Sequence, residues 1–127
     1  MEKALAPQKV IESKMKEIIQ LGNYEAVFLF SYEGLPLAKV SHPQNQSQDL
    51  LAEMSLMFSN VKKMASSLGG LERLKEVFVE GTNHRKVIFR FFNALGNEVV
   101  LAAVVPPRKA YRKLTNDLQR LILSLKF

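Results

Sequence analysis

Hydrophobic residues recur at helical spacing through a long segment in the middle of the chain, SQDLLAEMSLMFSNVKKMASSLGG, from Ser47 to Gly70. Ser47 is suited to cap the start of a helix, and Gly69 with Gly70 can form the left-handed turn that ends one. Seven apolar residues share one face, which we predict to pack on a sheet: Leu50, Met54, Met57, Val61, Met64, Ala65 and Leu68.

Further apolar residues lie outside that face. At about 100° per residue, Leu51 and Phe58 lie on its flank and Leu56 lies well away from it. The pattern therefore leaves two interpretations open: a fully buried core helix, or a helix that packs on its own sheet and also contacts another chain. For Met54, Met57 and Met64, core packing is favoured over an adaptable binding face.

The same reading along the chain predicts two more helices and five strands. The helices are Pro7 to Leu21 and Arg108 to Lys126, and the strands are Tyr24 to Tyr32, Leu35 to Val40, Leu74 to Glu80, Lys86 to Phe92 and Val99 to Val105. Short turns at 33–34, 81–84 and 94–97 predict antiparallel pairing. We expect an α+β fold of the order α-β-β-α-β-β-β-α, with a five-stranded antiparallel sheet covered by helices on both faces.

The predicted sheet has one weak point at its second edge. Pro36 lacks a backbone donor and places the second strand at one edge, while the apolar run from Val99 to Val105 suits the centre. The third strand then exposes Val77, Phe78 and Val79 at the other edge. An exposed apolar edge promotes aggregation, and pairing of two such edges in a twofold dimer would protect it. The alternative is a free edge protected by charge, which Lys75, Glu76 and Glu80 could supply.

Composition limits the class of protein. The chain has 127 residues, 47% of them apolar, and no cysteine. We expect a single globular domain spanning residues 1–127, without disulfides or thiolate metal sites. The first residues, MEKALAPQKV, do not resemble a secretory signal, and no apolar run is long enough to cross a bilayer. These features favour a cytoplasmic location.

Charge is distributed unevenly. The formal net charge is +6, with an acidic first half and a basic second half that begins at Lys62. This asymmetry allows a nucleic-acid-binding role or an acidic partner, but a solvated basic surface on a small protein is the favoured explanation. The sequence has no tryptophan and no evident interleaving of aromatic and basic residues, so nucleic acid is an unlikely partner.

Residues that could carry catalysis are few. His42 and His84 lie beside turn residues, and Asp49 and Asp117 lie on predicted helices. No glycine-rich phosphate loop precedes a helix. We therefore predict a protein that is not an enzyme and needs no cofactor or metal. A small-molecule sensor is a further alternative, and it would need a cavity with convergent polar groups.

Three segments together resemble the roadblock family, the relatives of the dynein light chain. They are the hairpin AVFLFSYEGLPLAKV, the helix LLAEMSLMFSNVKKMASSLG and the meander VFVEGTNHRKVIFRFFNALGNEVVLAAVV. The resemblance implies a roadblock/profilin-like fold and a dimer, either a homodimer or a heterodimer with a sister chain. It implies a sheet continuous across the third strand, with two central helices side by side. Prokaryotic members of the family often bind or regulate small Ras-like GTPases, and some accelerate hydrolysis.

Two sets of contact residues follow from this resemblance. The dimer interface is expected at Leu51, Ser55, Phe58, Lys62, Lys75, Val77, Phe78 and Val79. The outer side of the central helix is expected to bind the GTPase through Leu56, Ser59 and Lys63. The resulting hypothesis is a dimeric scaffold or regulator of a small GTPase.

Overall fold

The structure is a computed structural model that describes residues 6–41, 48–68, 74–107 and 109–125. Its elements follow the predicted order: α1 (Pro7–Gly22), β1 (Ala26–Ser31), β2 (Pro36–Ser41), α2 (Gln48–Ser66), β3 (Glu76–Glu80), β4 (Lys86–Ala94), β5 (Asn97–Val105) and α3 (Arg112–Ser124). The predicted helix-capping residues Ser47, Gly69 and Gly70, and the loop residue His42, lie outside the described residues.

The five strands form one antiparallel sheet in the order β2-β1-β5-β4-β3. The central position of β5 and the edge positions of β2 and β3 are confirmed. Residues from Val99 to Val105 are all buried, since helices cover both faces of the sheet. One core lies between the sheet and the pair α1 and α3, and a second lies between the sheet and α2. The predicted fold class is therefore confirmed.

The β1–β2 hairpin fixes the position of α2. The Ser31 hydroxyl accepts hydrogen bonds from the backbone N–H groups of Glu33 and Leu35, at 3.2 and 3.1 Å. Gly34 has a φ of +85°, which a residue with a Cβ rarely adopts. The side chain of Leu56 lies directly over this glycine, 3.2 Å from where a Cβ would be. The turn residue thus allows α2 to approach the hairpin closely.

Two connections differ from the predictions. The turn predicted at 94–97 is shorter in the structure, since only Leu95 and Gly96 connect β4 to β5. Their φ values are +56° and +80°, and a two-residue turn with positive φ angles follows the twist of the paired strands. The helix predicted to begin at Arg108 instead begins at Arg112. The Tyr24 hydroxyl donates to the backbone oxygens of Ala110 and Tyr111, at 3.4 Å each, and holds the preceding segment outside the helix.

The orientation of α2 is the main correction to the sequence analysis. The face that lies against the sheet carries Leu51, Ser55 and Phe58, and the Phe58 ring contacts Phe89 edge-on at 4.8 Å between centroids. Most residues of the predicted core face are exposed instead: Leu50, Met57, Val61, Met64 and Leu68. Only Met54 and Ala65 of that set are partly or fully buried. The helix is therefore rotated relative to the prediction.

Two polar residues make this orientation possible. The buried Ser55 hydroxyl donates to the Ala52 carbonyl at 2.7 Å, so its burial leaves no polar group without a partner. The Lys62 amino group lies 5.5 Å from the centroid of Phe91 and forms an ion pair with Glu98. Burial lowers the pKa of Lys62. Its aliphatic stem covers apolar surface while its charge reaches a partner at the end of the sheet.

Candidate interaction surface

Five apolar side chains form a continuous exposed stripe on α2 and the turn that follows it. We call this set the α2 stripe: Leu50, Met57, Val61, Met64 and Leu68, with between 40% and 70% of each side chain exposed. Scattered apolar residues are normal on a protein surface, but a contiguous row is typical of a contact with another molecule. The stripe is consequently the strongest candidate for an interaction surface.

The stripe occupies one flank of α2. Leu56 lies on the opposite flank of α2, over the turn between β1 and β2. α2 begins beside β2, where the Lys39 amino group donates to the Gln48 side-chain oxygen at 2.8 Å. Its later residues Phe58 and Lys62 lie over Phe89 and Phe91 of β4. The helix therefore crosses the sheet from the β2 edge toward β4.

The opposite edge of the sheet, at β2, is protected. Pro36 has no N–H group to offer another strand. The Glu12 carboxylate of α1 accepts the backbone N–H of Lys39 at 2.9 Å and so occupies a donor of the edge strand. A side chain that caps an edge donor in this way hinders pairing with another chain.

Replacing Glu12 with alanine should weaken this protection. We expect Glu12→Ala to lower the free energy of unfolding by about 1 kcal/mol, because the hydrogen bond to Lys39 is charge-assisted but partly exposed. The Lys39 amide should also exchange faster with deuterium. Urea unfolding and amide exchange measure the two effects, and Glu17→Ala, which removes only an exposed pair with Lys14 at 3.4 Å, is the matched control. An unchanged exchange rate at Lys39 would contradict the capping role.

The edge at β3 has no comparable cap within the described residues. β3 pairs with β4 on one side only. Of its apolar residues, Val77 is half-buried, while Phe78 and Val79 are 44% and 40% exposed. Lys75, just before the strand, is also exposed. The β2 edge is therefore protected, whereas the β3 edge is available to pair with a further strand.

A buried arginine that the sequence analysis missed braces the β3 edge. Arg90 of β4 donates to Glu76 of β3 at 3.0 Å, and it also bonds the side-chain oxygens of Asn116 and Gln119 on α3. Only 6% of the arginine side chain is exposed. Tyr111 adds a hydroxyl bond to the second Glu76 oxygen at 3.3 Å. This cluster holds the edge strand and the closing helix as one unit.

The buried hydroxyl of Tyr24 extends the polar region beneath α3. Burial raises the pKa of Tyr24 to about 12, which keeps the phenol neutral at physiological pH. The hydroxyl lies among backbone oxygens and Thr115. Such a buried, hydrogen-bonded group stabilises the fold.

The predicted dimer contacts divide into two groups. The side chains of Leu51, Ser55 and Phe58 lie against the chain's own sheet, and their role as dimer contacts stays a prediction. Lys62 likewise lies over Phe91 and pairs with Glu98. The second group, Lys75, Val77, Phe78 and Val79, lies at or beside the open edge.

The predicted partner-binding residues lie on the outer flank of α2. Leu56 is 43% exposed, Lys63 is exposed, and the side chain of Ser59 lies outside what the structure describes. The α2 stripe itself was missed as a contact surface. Its regular apolar spacing could have signalled it, but the same spacing is equally compatible with a core face.

Two further features, His84 and an apolar cavity, are possible sites for catalysis or ligand binding. His84, on the β3–β4 turn with a φ of +68°, lies 3.9 Å from Glu80 at an exposed position. An apolar cavity of about 320 Å³ lies between the start of α1 and the β4–β5 turn, and its Ser31 hydroxyl already bonds the hairpin. Within the described chain, none of the helices has the length and hydrophobicity to cross a bilayer.

Comparison with solved structures places this fold among known proteins. The gliding protein MglB from Thermus thermophilus superposes with a TM-score of 0.73 at 17% identity, covering 94% of this chain and 87% of that one. An MglB with a tetrameric arrangement gives 0.73 at 18% identity, covering 94% and 88%. A Roadblock/LC7 domain from Streptomyces avermitilis gives 0.66 at 16% identity, covering 87% and 90%. At these identities the likeness concerns the fold.

Sequence comparison identifies the family. No curated protein matches the chain significantly. The model of the Roadblock/LC7 domain matches residues 11–104, from the first buried residue of α1 to the end of the central strand. The match includes β3 and all of α2, the elements that carry the open edge and the stripe. The predicted resemblance is confirmed, and the chain belongs to the Roadblock/LC7 family.

Proposed function

We propose that this chain is a non-enzymatic scaffold or regulator that acts as a dimer and binds a small Ras-like GTPase. The observation that carries the proposal is the presence of two exposed features, the apolar α2 stripe and the uncapped β3 edge. A stable interface buries about 1,200–2,000 Å² in total, more than a single edge strand provides. The stripe and the edge together supply both an apolar surface and a row of backbone hydrogen-bonding groups.

A twofold dimer would cover the α2 stripe and pair the β3 edge at the same time. Antiparallel pairing of two β3 strands would extend the sheet across the axis and bring two α2 stripes together on one face. The second chain would be another copy or a sister roadblock chain. Light scattering of the purified protein over a range of protein and salt concentrations tests the homodimer. A mass twice that of one chain is expected, and a monodisperse monomer would contradict homodimerisation.

The proposed GTPase surface lies on the other flank of α2. In the dimer, Leu56 and Lys63 would remain accessible while the α2 stripe is covered, because they lie on a different flank of the helix. Leu56 combines 43% exposure with support from the β1–β2 turn beneath it, so its position is well defined. An apolar side chain held in this way beside a cation is a suitable anchor for a protein partner.

The substitution Leu56→Asp should weaken GTPase binding without unfolding the domain. We expect an affinity loss of at least about tenfold, since truncating or charging an interface anchor commonly costs more than 1 kcal/mol. Binding is measured against a panel of Ras-like GTPases in both nucleotide states. Leu123→Asp, at a residue of α3 that is 52% exposed, is the matched control.

The outcomes of this experiment are separable. Unchanged affinity of Leu56→Asp for a GTPase that binds the wild type would exclude this flank as the contact surface. Failure of the wild type to bind any member of the panel would argue against a GTPase partner. Loss of the folded state in Leu56→Asp would place Leu56 in the core.

A further inference from the structure

The two helical faces of the sheet differ in charge. Along α2, the acidic residues Asp49 and Glu53 balance Lys62 and Lys63. The layer formed by α1 and the segment from Lys109 through α3 has an excess of cations in its described residues. Its seven basic residues are Lys9, Lys14, Lys16, Lys109, Arg112, Lys113 and Arg120, and its three acidic residues are Glu12, Glu17 and Asp117.

All three acidic side chains of this layer already have partners. Glu12 accepts the Lys39 N–H, Glu17 pairs with Lys14 at 3.4 Å, and Asp117 pairs with Arg120 at 3.5 Å. Within the described residues, five exposed cations form no ion pair: Lys9, Lys16, Lys109, Arg112 and Lys113. We call these five residues the cationic face. Their charges are available to an external anionic surface.

We propose that the cationic face docks on the surface of an anionic lipid bilayer. Leu21 of α1 and Leu123 of α3, which are 67% and 52% exposed, accompany the cations on this helical layer. Cations interspersed with exposed leucines suit the headgroup region, where phosphates and the first acyl carbons are both within reach. The outer surface of α1 and α3 presents no exposed aromatic ring among the described residues, which favours lipid over nucleic-acid bases.

The proposed dimer would strengthen this contact. Antiparallel pairing of two β3 edges leaves both α1–α3 layers on the same side of the joined sheet, so two cationic faces would meet one membrane together. The α2 face would then point toward the cytosolic side of the complex, available to a protein partner. The cationic face belongs to each protomer, so the inference can succeed even if the GTPase proposal fails.

Vesicle sedimentation of the full chain tests the inference. At about 0.1 M salt, where screening extends over about 10 Å, the protein should sediment with vesicles of equal parts phosphatidylglycerol and phosphatidylcholine. It should remain in solution with phosphatidylcholine alone and dissociate from the anionic vesicles at high salt. Inorganic phosphate at the same phosphate concentration as the lipid should not compete. Competition by phosphate would instead indicate a site for a single anion and overturn the proposal.

Charge reversal localises the contact. Lys113→Glu, on the cationic face, should weaken vesicle binding at least about tenfold, because the reversal both removes the attraction of one basic residue to the anionic surface and adds a repulsion of similar size. Lys63→Glu makes the same change of net charge on the α2 face and should weaken binding less than about threefold. Equal losses for the two variants would overturn the docking orientation. Tighter binding to a DNA duplex than to anionic vesicles would overturn the choice of lipid.

Discussion

A chain carrying Met57→Asp should be a folded monomer at concentrations where the wild type is a dimer. Met57 lies in the middle of the α2 stripe and is 67% exposed, so a carboxylate there remains hydrated in the isolated chain. In the proposed dimer the same carboxylate would be buried against the partner helix, at a cost of several kcal/mol per ion. We expect dimer affinity to fall by at least about a thousandfold.

Sedimentation or light scattering gives the mass of this variant, and circular dichroism monitors its fold. Asn60→Asp is the matched control, since Asn60 is exposed on α2 and the substitution adds the same charge. That control should remain a dimer. A dimeric Met57→Asp would show that the stripe is not the interface. An unfolded Met57→Asp would support the core position that the sequence pattern predicts for this methionine.

Strands and edges could be predicted because their signals are local. The consecutive apolar residues of β5 require cover on both faces, and Pro36 excludes its strand from the centre of a sheet. The turn at Glu33 and Gly34 connects two apolar runs and defines the hairpin. Each of these inferences holds whichever distant segment of the chain packs against the strand or turn concerned.

The orientation of α2 could not be predicted in the same way. Helical spacing identifies residues that share a face, but it does not identify the surface that covers that face. Here the chain's own sheet covers Ser55 and Lys62, whose polar groups bond within the fold, and the more regular apolar face is left exposed. This helix has two apolar surfaces, one against the sheet and one exposed, and composition alone does not show which of them the sheet covers.

Arg90 illustrates a second limit of prediction from sequence patterns, which concerns the partners of a buried charge. In the run KVIFRFF it shares the face of Ile88 and Phe92, so alternation placed a cation among core residues. A buried arginine needs partners, but Glu76, Asn116 and Gln119 come from two other elements, as far as 29 positions along the chain. The alternation of side chains along β4 could have identified Arg90 as a buried cation. Its hydrogen-bonding partners could be identified only from the folded structure.

Replacing Arg90 with methionine should be among the most destabilising substitutions in the chain. Methionine keeps much of the side-chain volume of arginine, but it removes the cation that pairs with the Glu76 carboxylate. The Glu76 side chain is only 22% exposed, so water replaces that cation poorly. Removing one member of a buried ion pair commonly costs about 3–5 kcal/mol. Since Glu76 is partly hydrated, we expect a loss near about 3 kcal/mol for Arg90→Met. Chemical unfolding at a fixed protein concentration measures it, because the proposed dimerisation would make stability depend on concentration.

The double variant Arg90→Met with Glu76→Gln separates the ion pair from simple packing. If the carboxylate left without a cation causes the loss, Glu76→Gln should restore a large part of the stability in the Arg90→Met background while destabilising the wild type. Arg112→Met, at an exposed arginine of α3, should change stability by less than about 0.5 kcal/mol. Equal losses for Arg90→Met and Arg112→Met would contradict the bracing role. Additive effects of the Arg90 and Glu76 substitutions would show that the pair itself contributes little to holding β3 against α3.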